Sequence, residues 1–358
     1  MGKDNCLLSY IIPFYEGTNR IHRCLDSIFA IGLGEEELEV IVVDDCSPVY
    51  ANEVLAEYRM KHPNLRIIRH NVNKRQGGAK NTGIQNARGK YVAFADQDDE
   101  IFPDQLKVVL GRAIEDCPDV VSCRWVARLD GNNFETGILI EDGRKMVGQQ
   151  FCEQFVDPSV SFGTWSYLFR RQFLADQSRP MAEGVLMEDA DWIAWHLFHA
   201  ESVLCCNHAI YRWNIYSEST SHKVCSSVLI SWIKMGVRIL DDVTIYCKQS
   251  IAFGEKMKEN GLGDINRQFD ELWKIGDYHV FFQLLRREHL LEVLREKALS
   301  DKAAFYVRNP LLGEAGLYFI GPTKKIIDMV SGRFVYVKKH AHRFLRKLRT
   351  RSNRLEII

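Results

Sequence analysis

The sequence predicts an α/β fold: an open, mostly parallel sheet flanked by helices, followed by a helical C-terminal region. Three observations carry this. Continuous apolar runs of strand length recur through the first 127 residues, as expected of strands buried on both faces. Segments with apolar residues at three- and four-residue spacing separate them, and strands joined by single helices imply parallel crossovers. Beyond about residue 130 the alternation fades, and 223–300 reads as mostly helical.

Leu7–Pro13 is the first strand, and Ile21, Leu25, Ile28 and Phe29 mark the helix after it. Glu39–Asp45 is the second strand. Val54, Leu55 and Tyr58 share one face of a second helix, which His62-Pro63 ends because a residue before proline is steered out of the helical region. Leu65–His70 is the third strand, and Ala79, Gly83, Ile84 and Ala87 mark a short helix. Tyr91–Asp96 is the fourth strand. Pro103 opens a helix carrying Leu106, Val109, Leu110 and Ala113, and Val120–Ala127 is the fifth strand. Gly131–Gly143 reads as a loop or hairpin, and 147–156 and 186–200 as helices.

At 358 residues the chain is one large domain or two smaller ones. Its 46% apolar and 26% charged residues exclude disordered, collagen-like and coiled-coil classes. With 47 basic and 47 acidic residues, no global field draws it to nucleic acid. The balance hides an asymmetry: residues 329–358 carry a net +8, which leaves the remainder near −8. Ten cysteines form no C-x-x-C pair, so no structural zinc is expected and the thiols should stay reduced in a cytosol. The N-terminus lacks a basic segment and a small-residue cleavage site, so a signal peptide is not expected. No apolar run reaches the roughly 20 residues of a membrane span.

Two strands end in acid, at Asp44-Asp45 and at Asp96-Gln97-Asp98-Asp99. Carboxylates at strand ends rarely serve a core, because burying unpaired charge is costly. Open parallel sheets bind ligands at the carboxyl ends of their strands. Acids two apart suit a hard divalent cation, which takes one or two carboxylates plus substrate phosphates. Asn73–Gly83 (NKRQGGAKNTG) precedes the fourth strand, with small residues for close approach and Arg75 and Lys80 able to face phosphate. Neither a Walker loop nor a G-x-G-x-x-G dinucleotide loop is present.

Ile-Ile-Pro13-Phe-Tyr15, Val-Val-Asp44-Asp45-Cys-Ser47, Asn73…Ala79-Lys80-Asn81-Thr-Gly83 and Asp96-Gln-Asp98-Asp99 occur in the order found in family 2 glycosyltransferases. Trp165–Arg170, Met187-Glu188-Asp189 and Tyr211-Arg212…Ser217-Glu-Ser219 extend the resemblance over about residues 6–222. The resemblance implies a GT-A fold with a nucleotide-binding sheet. It also implies inverting sugar transfer from a nucleotide-diphosphate donor, a UDP-sugar, to a glycan or lipid-linked hydroxyl, with Mn²⁺ or Mg²⁺ as cofactor. Carried over by match, Pro13, Tyr15 and Asp45 would line the base pocket, with Asp45 accepting from the uracil ring. Asn73 and Lys80 would lie on the donor side, Asp96 near the ribose, and Asp98 would hold the metal. Asp189 would be the catalytic base with Glu188 beside it, Asp191 being a bystander, and Arg212 and Ser219 would lie near the diphosphate.

His222, just after the last motif, is a candidate further metal ligand. Trp165 is a candidate sugar platform or a core residue; Trp192 and Trp195 read as core. The family pattern is departed from at Glu16, where Asn is frequent, at Arg75, where Gly is frequent, and at Lys80, where Arg is usual. Lys lacks the bidentate fork of Arg.

These motifs divide the chain into a catalytic domain over 1–222, a mainly helical region over 223–330 and a basic tail over 331–358. In the tail Phe334, Val337, Ala341, Phe344 and Leu348 recur at helical spacing with Lys and Arg between them. Such a helix over 333–354 either packs as a solvated helix on the acidic body or, the favoured expectation, contacts an anionic membrane peripherally, which would place the chain in the cytoplasm at the inner face of the cell membrane. A nucleotidyltransferase, the alternative enzyme class, needs a glycine-rich loop after the first strand, which Pro13–Thr18 does not supply. A non-catalytic glycan-binding relative is the alternative outside enzymes, and intact Asp98 and Asp189 argue against it.

Overall fold

The computed structural model describes residues 5–17, 19–129, 132–136, 141–155, 163–216, 224–275 and 277–310. The first stretch alternates as expected: β1 (Leu8–Phe14), α1 (Ile21–Phe29), β2 (Leu38–Asp44), α2 (Ala51–Val54), α3 (Ala56–Lys61), β3 (Leu65–Arg69), α4 (Arg75–Asn86) and β4 (Tyr91–Phe94). Then come β5 (Glu100–Ile101), α5 (Pro103–Asp116), β6 (Val120–Leu129), β7 (Asn132–Thr136), β8 (Lys145–Met146), α6 (Gly148–Phe155), β9 (Tyr167–Arg170), α7 (Arg171–Gln177), α8 (Asp189–His199) and β10 (Val203–Asn214). Five helices follow: α9 (Ser226–Gln249), α10 (Ile251–Glu271), α11 (Tyr278–Arg287), α12 (Leu290–Arg295) and α13 (Asp301–Arg308).

One sheet runs in the order β3-β2-β1-β4-β9-β6-β10-β5, with β7 on β6 and β8 on β10. It is parallel from β3 through β4 and again between β6 and β10. β9 enters antiparallel between β4 and β6, which joins the two parallel parts. Every residue of β1 and β2 is buried, because helices cover both faces of the sheet's centre. Ile21, Cys24, Leu25 and Ile28 of α1 pack beneath, as their spacing predicts. Pro103 sits in the first turn of α5, where a missing N–H costs nothing.

Two readings change. The second helix is broken at Leu55, whose ψ of 16° interrupts it between α2 and α3. β10, unread in the sequence, is the longest strand among the described residues: bulges between Cys206 and Tyr211 displace its apolar alternation from a regular period of two. For the segment after Gly131 the hairpin alternative holds: β7 pairs antiparallel with β6.

The chain forms two compact units. The first comprises Met1–Ile215 with Asp241–Met257; the second is drawn from Tyr216–Leu240 and the residues after Met257. The second unit is helical, with a core of Leu229, Ile233, Ile265, Phe269, Phe281 and Leu285. Its α9 and α10 meet at Gly236 and Gly261, where a Cβ on Gly236 would lie 2.7 Å from the Gly261 carbonyl oxygen. Among the described residues no helix is long and apolar enough to cross a membrane.

Candidate active site

The carboxyl ends of β1, β2 and β4 converge in the first unit. Ile11 accepts from Ala95 N–H at 3.1 Å and Phe14 from Asp45 N–H at 2.9 Å, so Pro13 turns its nitrogen toward β4. The β4 ladder has already ended at Ile11, and the missing N–H leaves no gap in the sheet.

Asp44 and Asp45 have different duties. Asp44 accepts from Ser47 N–H at 2.8 Å and Ala51 N–H at 3.0 Å and pairs with Arg69, so it builds the turn after β2. Asp45 Oδ1 accepts from Lys74 N–H at 2.8 Å and lies 2.7 Å from His70 Nδ1. Asn73 Nδ2 donates to the Asp45 carbonyl at 3.1 Å. Asn73 therefore serves the loop that surrounds Asp45. Tyr15 is 42% exposed beside this loop.

Gln97 fastens the loop after β1 to the acidic one: Tyr15 N–H donates to Gln97 Oε1 at 3.0 Å, and Gln97 Nε2 donates to Tyr15 O at 2.8 Å. Asp99 is buried and structural, accepting from Tyr211 Oη at 2.7 Å and Asn214 N–H at 2.7 Å. Tyr211 Oη in turn accepts from Asp96 N–H at 3.0 Å. Trp165 is buried and stacks on Tyr211 with centroids 4.7 Å apart, so it supports this network from the core. Trp192 is buried likewise.

Asp98 keeps 32% of its side chain open, with Arg20 at 3.6 Å. Burial raises the Asp98 carboxyl above its ordinary range. Burial also pushes Asp96 up to about 6, opposed by Lys80 and reinforced by Asp98 and Glu188. Among the described residues no three His, Cys, Asp or Glu side chains form a ready metal cage. A crowded pair of carboxylates with one member open to solvent fits a hard divalent cation that takes its other ligands from a substrate's phosphates. Arg212 lies 3.0 Å from Glu100, with its guanidinium over the Phe102 ring, so it stands at the rim of this acidic loop. Ser219 and His222 lie outside the described residues.

Lys80 is 1% exposed and lies 2.8 Å from Glu188 Oε1 and 2.7 Å from Asp189 Oδ1. Sequence reasoning pointed Lys80 at phosphate; its ammonium faces two carboxylates. Burial would lower its pKa, but Asp189 and Glu188 raise it, so it is a fixed cation. Gly77 lets α4 approach this closely, since a Cβ there would lie 2.1 Å from the Ala182 carbonyl oxygen. Asn81 completes the clamp, exchanging hydrogen bonds of 2.8 and 3.0 Å with the Met181 backbone. Met187 has a φ of 65°, a strained conformation for a bulky residue directly before the acidic pair.

The two acids end up unlike. Burial works against the Glu188 charge, yet Lys80 and further hydrogen bonds hold its carboxyl below the ordinary range. Asp189 is pushed up to about 8 by burial, with Lys80 opposing and the Glu188 charge adding. Glu188 is 3% exposed at its side chain, whereas Asp189 keeps 20% open. Paired groups driven apart in this way are candidates for acid–base chemistry. Asp191, expected to be a bystander, is fully buried and lies 3.0 Å from Arg179.

Two of the three departures from the family pattern share a physical feature. Glu16 has a φ of 53° and Arg75 a φ of 62°. These are left-handed conformations, which Asn and Gly adopt with less strain.

Comparison with known proteins bears on the fold and family. The Glycosyl transferase family 2 profile matches residues 9–178. An uncharacterized glycosyltransferase, YibD of Escherichia coli, is 27% identical over 60% of this chain and 63% of its own length. Glycosyltransferase GlyA of Streptococcus pneumoniae is 33% identical over 83% of this chain and 43% of its own length. The chain thus spans less than two thirds of either relative. The structure of Staphylococcus aureus TarS residues 1–349 with UDP-GlcNAc superposes with a TM-score of 0.60 at 19% identity, covering 87% of this chain and 89% of that one. That likeness carries the GT-A-type sheet and the helical C-terminal region.

Proposed function

Residues 9–178 belong to glycosyl transferase family 2, and from that premise we propose that the chain transfers a sugar, with inversion, from a UDP-sugar to a hydroxyl of a cell-surface glycan or a lipid-linked acceptor. Similar proteins include the succinoglycan biosynthesis protein ExoO of Rhizobium meliloti, 31% identical over 48% of this chain. The bound UDP-GlcNAc in the TarS structure supports a UDP-sugar donor. The observation that carries the reading is the pairing of one open acid, Asp98, with a second, Asp189, held against Lys80 and pushed up to about 8.

In this reading Asp45 meets the base, Asp96 the ribose, and Asp98 with His222 would hold Mn²⁺ or Mg²⁺. A bound divalent cation supplies charge neutralisation for the departing diphosphate. Arg212 and Ser219 lie on the diphosphate side, and Pro13, Tyr15 and Asn73 shape the base pocket. Asp189 takes the acceptor's proton as the hydroxyl attacks the anomeric carbon, because an alcohol is a weak nucleophile near neutral pH. Direct displacement inverts that carbon and needs no enzyme nucleophile.

Titration with UDP in Mn²⁺ tests the donor side. Asp98→Ala should weaken UDP binding in Mn²⁺ and change it little in EDTA. Equal affinity of both proteins in Mn²⁺ removes Asp98 from the metal site.

The same reading places the basic tail, which lies outside the described residues, on an anionic membrane at the cytoplasmic face. Each basic residue near such a surface contributes about 1 kcal/mol. Ending the chain after Val330 should leave a folded enzyme that no longer sediments with phosphatidylserine vesicles. Salt near 1 M, where the screening length is about 3 Å, should release the full chain. Unfolding on truncation would instead make the tail part of the body.

A further inference from the structure

We propose that His70 is a positioning residue that makes Asp45 a one-sided acceptor and so sets preference for a uracil over a cytosine nucleotide. The inference rests on the reading that Asp45 meets the donor's base. Asp45, His70 and Thr82 form a chain drawn from three consecutive parts of the fold. Asp45 follows β2, His70 follows β3 and Thr82 lies within α4. His70 Nδ1 is 2.7 Å from Asp45 Oδ1, and His70 Nε2 is 2.8 Å from Thr82 Oγ1. The side chains of His70 and Asp45 are 9% and 4% exposed. His70 is further fixed by its own N–H, which donates to the Asp44 carbonyl at 2.8 Å.

Proton bookkeeping follows from the donor inventory. The carboxylate only accepts, so Nδ1 carries the proton toward Asp45. In the neutral ring Nε2 is then the acceptor, and the Thr82 hydroxyl donates to it. The Lys74 N–H adds a second donor to the same Oδ1. Oδ1 is thereby saturated, while Oδ2 takes no donor among the described residues and is not sealed from solvent. A carboxylate held in this way presents one acceptor at one angle. The imide edge of uracil offers an N–H at N3, whereas neutral cytosine offers a lone pair there. A lone pair facing a fixed carboxylate leaves two acceptors opposed, and sites built for a substrate N–H reject analogues lacking it strongly.

Without His70 the Asp45 carboxylate loses its fixed orientation, so the effect should fall on base discrimination and not on the chemical step. Calorimetric titration of the full chain with UDP and with CDP, both in Mn²⁺, reads this directly. His70→Leu should lower the UDP over CDP preference by about tenfold, the scale of a hydrogen bond to a charged group. The KM for the donor should rise while kcat stays near that of the unaltered chain. His70→Gln, which keeps a donor, should restore most of the preference. Thr82→Val should lower it in part, and provides the test if His70→Leu does not fold. Equal weakening of both nucleotides by His70→Leu, or by Thr82→Val in its place, overturns the positioning role, as does an unchanged ratio. Asp45→Asn separates the two readings. If it leaves the ratio unchanged, Asp45 does not meet the base. If it collapses the ratio while the His70 and Thr82 variants do not, only the role of His70 fails.

Discussion

Lys80→Met is expected to lower the unfolding free energy by about 3–5 kcal/mol, the usual loss when one partner of a buried ion pair is removed. The ammonium is the fixed cation between Glu188 and Asp189, at 2.8 and 2.7 Å. Its removal leaves the Glu188 charge uncompensated beside Asp189, with little water to solvate it. The loss should depend on pH, and the sign can be worked out group by group. Glu188 is held below its ordinary 4.5 in the folded chain, so it contributes stability above 4.5 that is lost as pH falls through its folded value. Asp189 is the opposite case: its carboxyl is raised from 3.8 to about 8, so folding is most favoured below 3.8 and loses stability as pH rises through about 8. Without Lys80 both carboxyls bind protons more readily. The variant should therefore lie closest to the unaltered protein in mild acid and furthest from it near pH 8. Urea unfolding at pH 5 and pH 8 measures this. Lys80→Arg should recover much of the loss, since a guanidinium fork can serve both carboxylates. A Lys80→Met protein within about 1 kcal/mol of the unaltered one at pH 8 would show that the pair is not held by this charge.

The sheet was legible where burial is symmetric. β1 and β2 are buried along their whole length because helices cover both faces, and their largely apolar runs, interrupted only by Ser9, Glu39 and the terminal Asp44, stand out from an amphipathic pattern. β9 and β10 were not legible. β9 is four residues long and is defined by its place between β4 and β6, a long-range fact. β10 owes its polar interruptions to bulges. The site shows the same divide. Asp45, Asp98 and Asp189 could be named from motif order, but the motif does not say what each touches. Lys80 reaches across 108 residues to Glu188, and nothing local to NKRQGGAKNTG points its ammonium away from phosphate. Gln97 and Tyr211 went unassigned because their duties are hydrogen bonds to distant backbone. Two features of the local sequence do carry structural information. Glu16 and Arg75 stand where the family favours residues suited to left-handed backbone, and both adopt it. Asp191 sits two places from Asp189, the spacing that turns a helical side chain to another face, here toward Arg179.

Asp189→Asn is expected to cut kcat by about 10²–10⁴-fold, the typical contribution of a positioned general base, with the melting temperature near that of the unaltered protein. The separation of these effects follows from protonation. With its carboxyl pushed up to about 8, Asp189 is mostly neutral at pH 7 in the free protein, and asparagine has the shape of that neutral form. Lys80 keeps its contact with Glu188, and the Thr164 N–H, 3.3 Å from Asp189 Oδ2, can still find an amide oxygen. What asparagine lacks is the ability to accept a proton. The kcat/KM of the unaltered protein should therefore rise as pH increases through about 8, because that ratio reports the free enzyme and the base must first lose its proton. The Asp189→Asn protein should show a low rate without that rise. Acids at a helix N-terminus have a plainer use, offsetting the positive end of the helix dipole at roughly 0.3–1 kcal/mol each, and that use would make neighbouring acids interchangeable. Asp191→Asn is the comparison that separates the two. Asp191 is fully buried against Arg179, which also pairs with Asp242, so its loss should appear in the melting temperature and much less in kcat per folded molecule. Equal losses of kcat in the two variants, or an Asp189→Asn protein that keeps most of its rate and its rise near pH 8, would place the base elsewhere.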